Sequence, residues 1–152
     1  CSGNSFPGSS AVISADAIIA EIRHLTINNT GSSNDFSVGV STGVADGSFS
    51  MLHVTATATG GTNNFGVYNI SSSPSMNNVT ATATNSFSTF GVYNESSSSP
   101  TMNNVTATAT GGANNYGVIN ISSSPTIRNS SITGTTNSIF NNVVIGNYIT
   151  KC

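Results

Sequence analysis

The sequence predicts an all-β chain wound as a parallel β-solenoid, and three observations predict it. A block that opens at Met51 returns almost unchanged at Met76 and Met102, a period of about 25 residues. Repeats of that length are single supersecondary units that must stack on their neighbours to bury an apolar face. Inside each block Val-Thr-Ala-Thr-Ala-Thr alternates strictly, as at Val79–Thr84. A period of two puts Val79, Ala81 and Ala83 on one face and Thr80, Thr82 and Thr84 on the other, and β-branched Thr disfavours a helix. Turn residues then recur at fixed places: Gly60-Gly61 and Gly111-Gly112, then Pro74, Pro100 and Pro125.

The repeat extends in both directions. Its first column is Ile22, Met51, Met76, Met102 and Ile127, followed three positions on by Leu25, Val54, Val79, Val105 and Ser130. A second column is read as Phe36, Phe65, Phe90, Tyr116 and Phe140, with Gly66, Gly91 and Gly117 and then Val67, Val92 and Val118 after it in the three regular copies. These columns divide the chain into blocks 22–50, 51–75, 76–101, 102–126 and 127–152, about five to six rungs. Residues 1–21 are left as a tail with a cap, a partial rung or a short helix. The third block is one residue longer, in the Ser96–Ser99 run, where a turn absorbs the insertion.

Composition narrows the function classes. Only 5% of the 152 residues are charged, with Lys+Arg 3 and Asp+Glu 5. No basic stripe exists to neutralise a phosphate backbone, so nucleic acid is not an expected partner. Weak self-repulsion suits a chain that associates. The polar surface of Ser, Thr and Asn is not disorder, because apolar residues return at fixed positions. No run of about 20 apolar residues reads as a membrane span. The chain reads as a mature, processed form or a trimmed one.

The columns resemble those of the right-handed parallel β-helix, the pectate-lyase-like superfamily with its secreted repeat proteins. The resemblance covers about Ile22 to Tyr148 and implies right-handed coiling, which agrees with the rule for parallel crossovers. It would also imply clustered acids with an Arg or Lys base. This chain departs from that pattern. Asp16, Glu21, Asp35, Asp46 and Glu95 fall in different columns, and the bases are only Arg23, Arg128 and Lys151. Paired carboxylates must lie within several ångströms to share acid and base roles, so no catalytic residue and no cofactor is expected.

Four residue sets remain as candidates. His24 and His53 share the third position of successive rungs, about 5 Å apart by strand spacing. The column continues as Asn78, Asn104 and Asn129, so it reads as a polar turn without a metal. Seven Asn-x-Ser/Thr sequons, at Asn28, Asn69, Asn78, Asn94, Asn104, Asn120 and Asn129, permit glycosylation, while Asn69, Asn94 and Asn120 also suit an internal amide ladder. Thr55, Thr57, Thr59, Thr80, Thr82, Thr84, Thr106, Thr108 and Thr110 form a regular outward grid that resembles the Thr-x-Thr faces of β-helical antifreeze proteins. Ice, a glycan or a neighbouring surface are its expected contacts.

The fourth set is Cys1 and Cys152, the only cysteines, at the two ends of the chain. A solenoid of this length separates its ends by roughly 25–30 Å at about 4.8 Å per rung, whereas a disulfide needs Cα atoms within about 7 Å. Joining Cys152 of one subunit to Cys1 of the next is the easier geometry. Val143–Thr150 is β-prone and uncharged, a template for another chain. The expected function is therefore an extracellular or cell-surface structural subunit that stacks head to tail and is locked by intermolecular disulfides. Cys1-Ser2-Gly3-Asn4-Ser5 also resembles a mature bacterial lipoprotein terminus, which would instead make a surface-anchored, adhesin-like module.

Overall fold

The structure is a computed structural model of the chain, and it describes residues 9–16, 20–31, 35–43, 49–142 and 148–150. Among these residues there are strands and no helix. β1 (Ser9–Asp16), β2 (Glu21–Asn29), β3 (Phe36–Gly43), β4 (Ser50–Thr59) and β5 (Asn63–Ile70) build the first part. Each following turn then carries three strands. These are β6 (Ser75–Asn77), β7 (Thr80–Thr84) and β8 (Ser88–Glu95), then β9 (Thr101–Asn103), β10 (Thr106–Thr110) and β11 (Asn114–Ile121). The last are β12 (Thr126–Arg128), β13 (Ser131–Gly134) and β14 (Asn137–Asn142), with β15 (Tyr148–Thr150) opening a further turn.

All pairing between these strands is parallel. Sheet A runs β1-β3-β5-β8-β11-β14, and sheet B collects the remaining strands. In sheet B the long β4 pairs β2 on one side and both β6 and β7 on the other. The first column holds as read: Ile22 pairs Met51, Met51 pairs Met76, Met76 pairs Met102 and Met102 pairs Ile127. That is about four turns, and Ile149 continues the column. β1 adds a partial rung beside β3, so of the cap, partial rung or short helix read for the N-terminal segment, Ser9–Asp16 is a strand and not a helix.

The interior is a wedge. Met51, Met76 and Met102 fill its wide end, with Val54, Val79 and Val105 next to them, all fully buried. Facing them from sheet A are Val40, Val67, Val92 and Val118. Burying such side chains contributes about 1.5–3 kcal/mol each. At the narrow end Ala81 and Ala107 of sheet B lie against the glycine column of sheet A. A Cβ built on Gly66 would stand 2.7 Å from the Thr82 nitrogen and 2.9 Å from the Ala81 carbonyl carbon. The two backbones touch there, which is why the strand facing glycine carries only alanine inside.

Corners are made by left-handed backbone, stacked rung upon rung. One corner is His24, His53, Asn78, Asn104 and Asn129, with φ between 50° and 54°. Another is Gly60, Asn85 and Gly111, and a third is Ser71, Ser96, Ser97 and Ser122. Asn and Gly tolerate that region best, and they hold the first two corners almost throughout. The longer third block places two left-handed serines, Ser96 and Ser97, where its neighbours have one.

The aromatic column needs correcting at both ends. Val38, not Phe36, pairs Phe65, and Phe36 pairs Asn63. Likewise Tyr116 pairs Asn137, while Phe140 pairs Ile119. The fixed point of this strand is the glycine that the opposite backbone demands, so Gly39 aligns with Gly66. Phe36 stands three residues before its glycine where Phe65 is one before, and so falls two positions out of register. Phe36 and Phe140 still reach the stack, with ring centroids 5.8 Å from Phe65 and 5.5 Å from Tyr116.

Candidate functional surfaces

The outer face of sheet B is the threonine grid. Thr55, Thr80 and Thr106 stand in register, as do Thr57, Thr82 and Thr108, and Thr59, Thr84 and Thr110. Each Thr is half-buried or exposed, while the alanines between them are buried. β2 extends the grid with exposed Thr26 and Asn28, and β13 with exposed Ser131 and Thr133. No charged side chain interrupts this field among those residues. The arrangement can offer water, ice or another polar surface a two-dimensional lattice of hydroxyl and methyl groups, about 4.8 Å apart across strands and about 6.6 Å along them.

The outer face of sheet A differs in kind. Phe65 and Tyr68 are three residues apart, yet their rings meet at 4.9 Å. Strict alternation would put them on opposite faces; the break falls at Gly66, where the ladder pairs Phe65 with Phe90 and Val67 with Val92. Phe65 is buried but lies outside the main core cluster. It stacks on Phe90 at 4.9 Å, and Phe90 stacks on Tyr116 at 5.9 Å. Tyr93 stands edge-on to both Phe65 and Phe90.

A single carboxylate sits beside this stack. Tyr68 donates its hydroxyl proton to Glu95 Oε1. Burial first, then that bond and the Glu95 charge, push the Tyr68 phenol far above its ordinary range. Tyr93 is raised as well, by burial and then by Glu95. Glu21 and Asp35, the other carboxylates whose side chains are described, lie in the first turn. Glu21 is 3.3 Å from Arg23.

Inside sheet A, the asparagine column forms an amide ladder. Thr42 donates to Asn69 Oδ1 at 2.7 Å, Asn69 Nδ2 to Asn94 Oδ1 at 2.8 Å, Asn94 Nδ2 to Asn120 Oδ1 at 2.8 Å, and Asn120 Nδ2 to Asn141 Oδ1 at 2.7 Å. Asn69, Asn94 and Asn120 are buried. All three amides are engaged in this ladder, the internal role that also suits their column. Asn28, Asn104 and Asn129 are exposed and Asn78 is half-buried.

No family model matches the chain, and no curated protein or solved structure does.

The two histidines meet as their column predicts. Their ring centroids are 5.0 Å apart and the rings are 14° from parallel. No group of three or more His, Cys, Asp or Glu side chains that could hold a metal occurs among the described residues. Nor is any helix there long and apolar enough to cross a membrane.

The solenoid's ends are unlike its middle. Among the described residues, Val12, Leu25, Phe36 and Phe87 are the exposed large apolar side chains, and the first three belong to β1, β2 and β3. Leu25 is 40% exposed, although it continues the column of Val54, Val79 and Val105, each at 1%. At the opposite end Ile132 and Ile139 pack against the core and remain half-exposed. Cys1 and Cys152, together with Asp46 and Lys151, lie outside the described residues.

Proposed function

We propose that this chain is an extracellular, non-catalytic structural subunit that stacks head to tail through the ends of a right-handed solenoid. The observation that carries the reading is Leu25. It belongs to a column that is otherwise fully buried, and it is exposed because it stands in the first full rung. A second copy stacked on this end would cover Leu25 and would pair the open edges of β1 and β14. An interface between the two different ends does not close on itself, so it propagates. The low charge of the chain opposes this little.

In this reading Cys152 of one subunit bonds Cys1 of the next and locks the contact, in an oxidising compartment. Non-reducing electrophoresis of the native protein tests the lock. A ladder of multimers that collapses to one band with reductant, and is lost in Cys152→Ser, is the expected result. A single band in both lanes would turn attention to a Cys1 lipid anchor.

A second reading, ice binding by the threonine face, rests on the register of Thr55, Thr80 and Thr106 and of their two companion columns. Thermal hysteresis that is reduced by Thr82→Lys would support it, and its absence in the native protein would remove it.

A further inference from the structure

We infer that His24 and His53 form a two-imidazole site for a divalent transition-metal ion, bridging the first two rungs of the solenoid. The chain has only these two histidines, 29 positions apart in sequence, and the coil places them side by side in one column. Both are exposed, so both rings are open to an ion from solution.

The backbone holds them in matching orientation. His24 has φ 51° and His53 has φ 53°, so the two Cα–Cβ bonds leave the corner in parallel. The ladder is paired on both sides of the corner, Arg23 with Leu52 and Leu25 with Val54, which fixes the two Cα atoms one strand spacing apart. Only the side-chain torsions remain free. Imidazole nitrogens bind such ions at about 2.0–2.1 Å, which requires the two donor atoms within about 3–4 Å of each other. From centroids 5.0 Å apart, a small tilt of each exposed ring brings them there.

The donor set selects the class of ion. Imidazole suits Zn²⁺, Cu²⁺ and Ni²⁺ and not the oxygen-seeking Ca²⁺ or Mg²⁺. Two protein ligands leave the remaining positions to water. The nearest charges on the same strand are Arg23 and Glu21, which lie 3.3 Å from each other and so offset one another. The next residue in the column, Asn78, is already engaged, its Oδ1 accepting from Asn104 Nδ2. The site is therefore confined to the two rungs that carry histidine.

The column supplies its own control. Asparagine occupies the same left-handed corner at Asn78, Asn104 and Asn129, so His24→Asn and His53→Asn keep the fold while removing an imidazole. Isothermal titration of the native chain and both variants with Ni²⁺ tests the site, with thermal unfolding in the same solutions as a second readout. The expected result is one ion per chain in the native protein, with affinity falling about tenfold or more in either variant as the second ligand is lost. The unfolding midpoint should rise with Ni²⁺ only in the native chain. Equal Ni²⁺ affinity in the native protein and the His24→Asn/His53→Asn double variant would overturn the proposal, because binding would then belong to other groups.

Discussion

The regular turns from Met51 to Ile121 and the first turn, β1 to β3, solve the same geometric problem with different residues. In the middle, each side chain has a like partner above and below. Asn94 both accepts from Asn69 and donates to Asn120. In the first turn the same ladder is closed by Thr42, which makes one bond to Asn69, and Ala15 lies beyond it. Asn64 ties the glycine corner by accepting from Gly61 N and donating to the Thr84 carbonyl. The first turn does this from another strand, with Asn29 donating to the Val38 carbonyl and accepting from Gly31 N. What the solenoid conserves from turn to turn is a set of positions and bonds, and the repeat letters are one way of filling them.

That comparison predicts a gradient of sensitivity, steepest in the middle. The largest effect is expected at the glycine column. A Cβ on either glycine would crowd the next rung's glycine carbonyl, at 2.5 Å for Gly91 and 2.6 Å for Gly39. On Gly91 it would also lie 2.8 Å from the opposed Thr108 nitrogen, whereas on Gly39 the opposed Thr57 nitrogen is 3.4 Å away. Gly91→Ala should cost about 3 kcal/mol or more, and Gly39→Ala measurably less, by urea unfolding. Equal costs would mean that the clash with the neighbouring glycine carbonyl, common to both, sets the cost, and not the approach of the opposite sheet.

The amide ladder comes next. Asn94→Ala leaves the buried Asn69 Nδ2 without an acceptor and Asn120 Oδ1 without a donor, at a cost of about 2–4 kcal/mol. Thr42→Ala removes a single terminal bond and should cost about 1 kcal/mol.

Tyr68→Phe probes a bond that exists only in the regular turns, since the equivalent first-turn positions are Ser41 and Gly43. Its cost near neutral pH should be about 1 kcal/mol. The pH dependence has a defined sign. The folded-state Tyr68 pKa lies above the unfolded value near 10, so its contribution is complete below that pH and fades as pH climbs toward the folded value. Removing the phenol should therefore flatten the loss of stability above about pH 10. An unchanged alkaline limb would contradict the assignment.

The smallest effect should have the opposite sign. Ser37, in the first turn, occupies the buried column of Asn64 and Thr89, yet its hydroxyl has no hydrogen-bond partner among the described residues. Ser37→Ala should be neutral or stabilise by about 0.5–1 kcal/mol. Thr89→Ala, which loses a 2.6 Å bond to Asn115 Oδ1, should destabilise by about 1 kcal/mol.

The sequence made the Met, Val and Ala columns legible because each recurs with an alternation of two inside a period of about 25. It also carried the left-handed corner, since His24, His53, Asn78, Asn104 and Asn129 stand in one position. The alignment of Phe36 and Phe140 was misleading because rings are the more visible letters. The residue that fixes register is the glycine facing Ala81 and Ala107, and Ser138 takes its place in the last rung, where its carbonyl lies 2.7 Å from a Cβ on Gly117. The outward aromatic face was hidden for a related reason. Period-two reasoning assigns Phe65 and Tyr68 to opposite sides, and only the break at Gly66 brings them together. Exposure of Leu25 was also not legible, because burial in a stack depends on what lies above a rung and not on its own residues.

Electron microscopy of the native protein tests the stacking claim most directly. With six strands in sheet A at about 4.8 Å each, end-to-end assembly predicts unbranched filaments with an axial repeat of about 25–30 Å, shortened or lost in Leu25→Lys. Monodisperse single particles, unchanged by Leu25→Lys and by reductant, would contradict it.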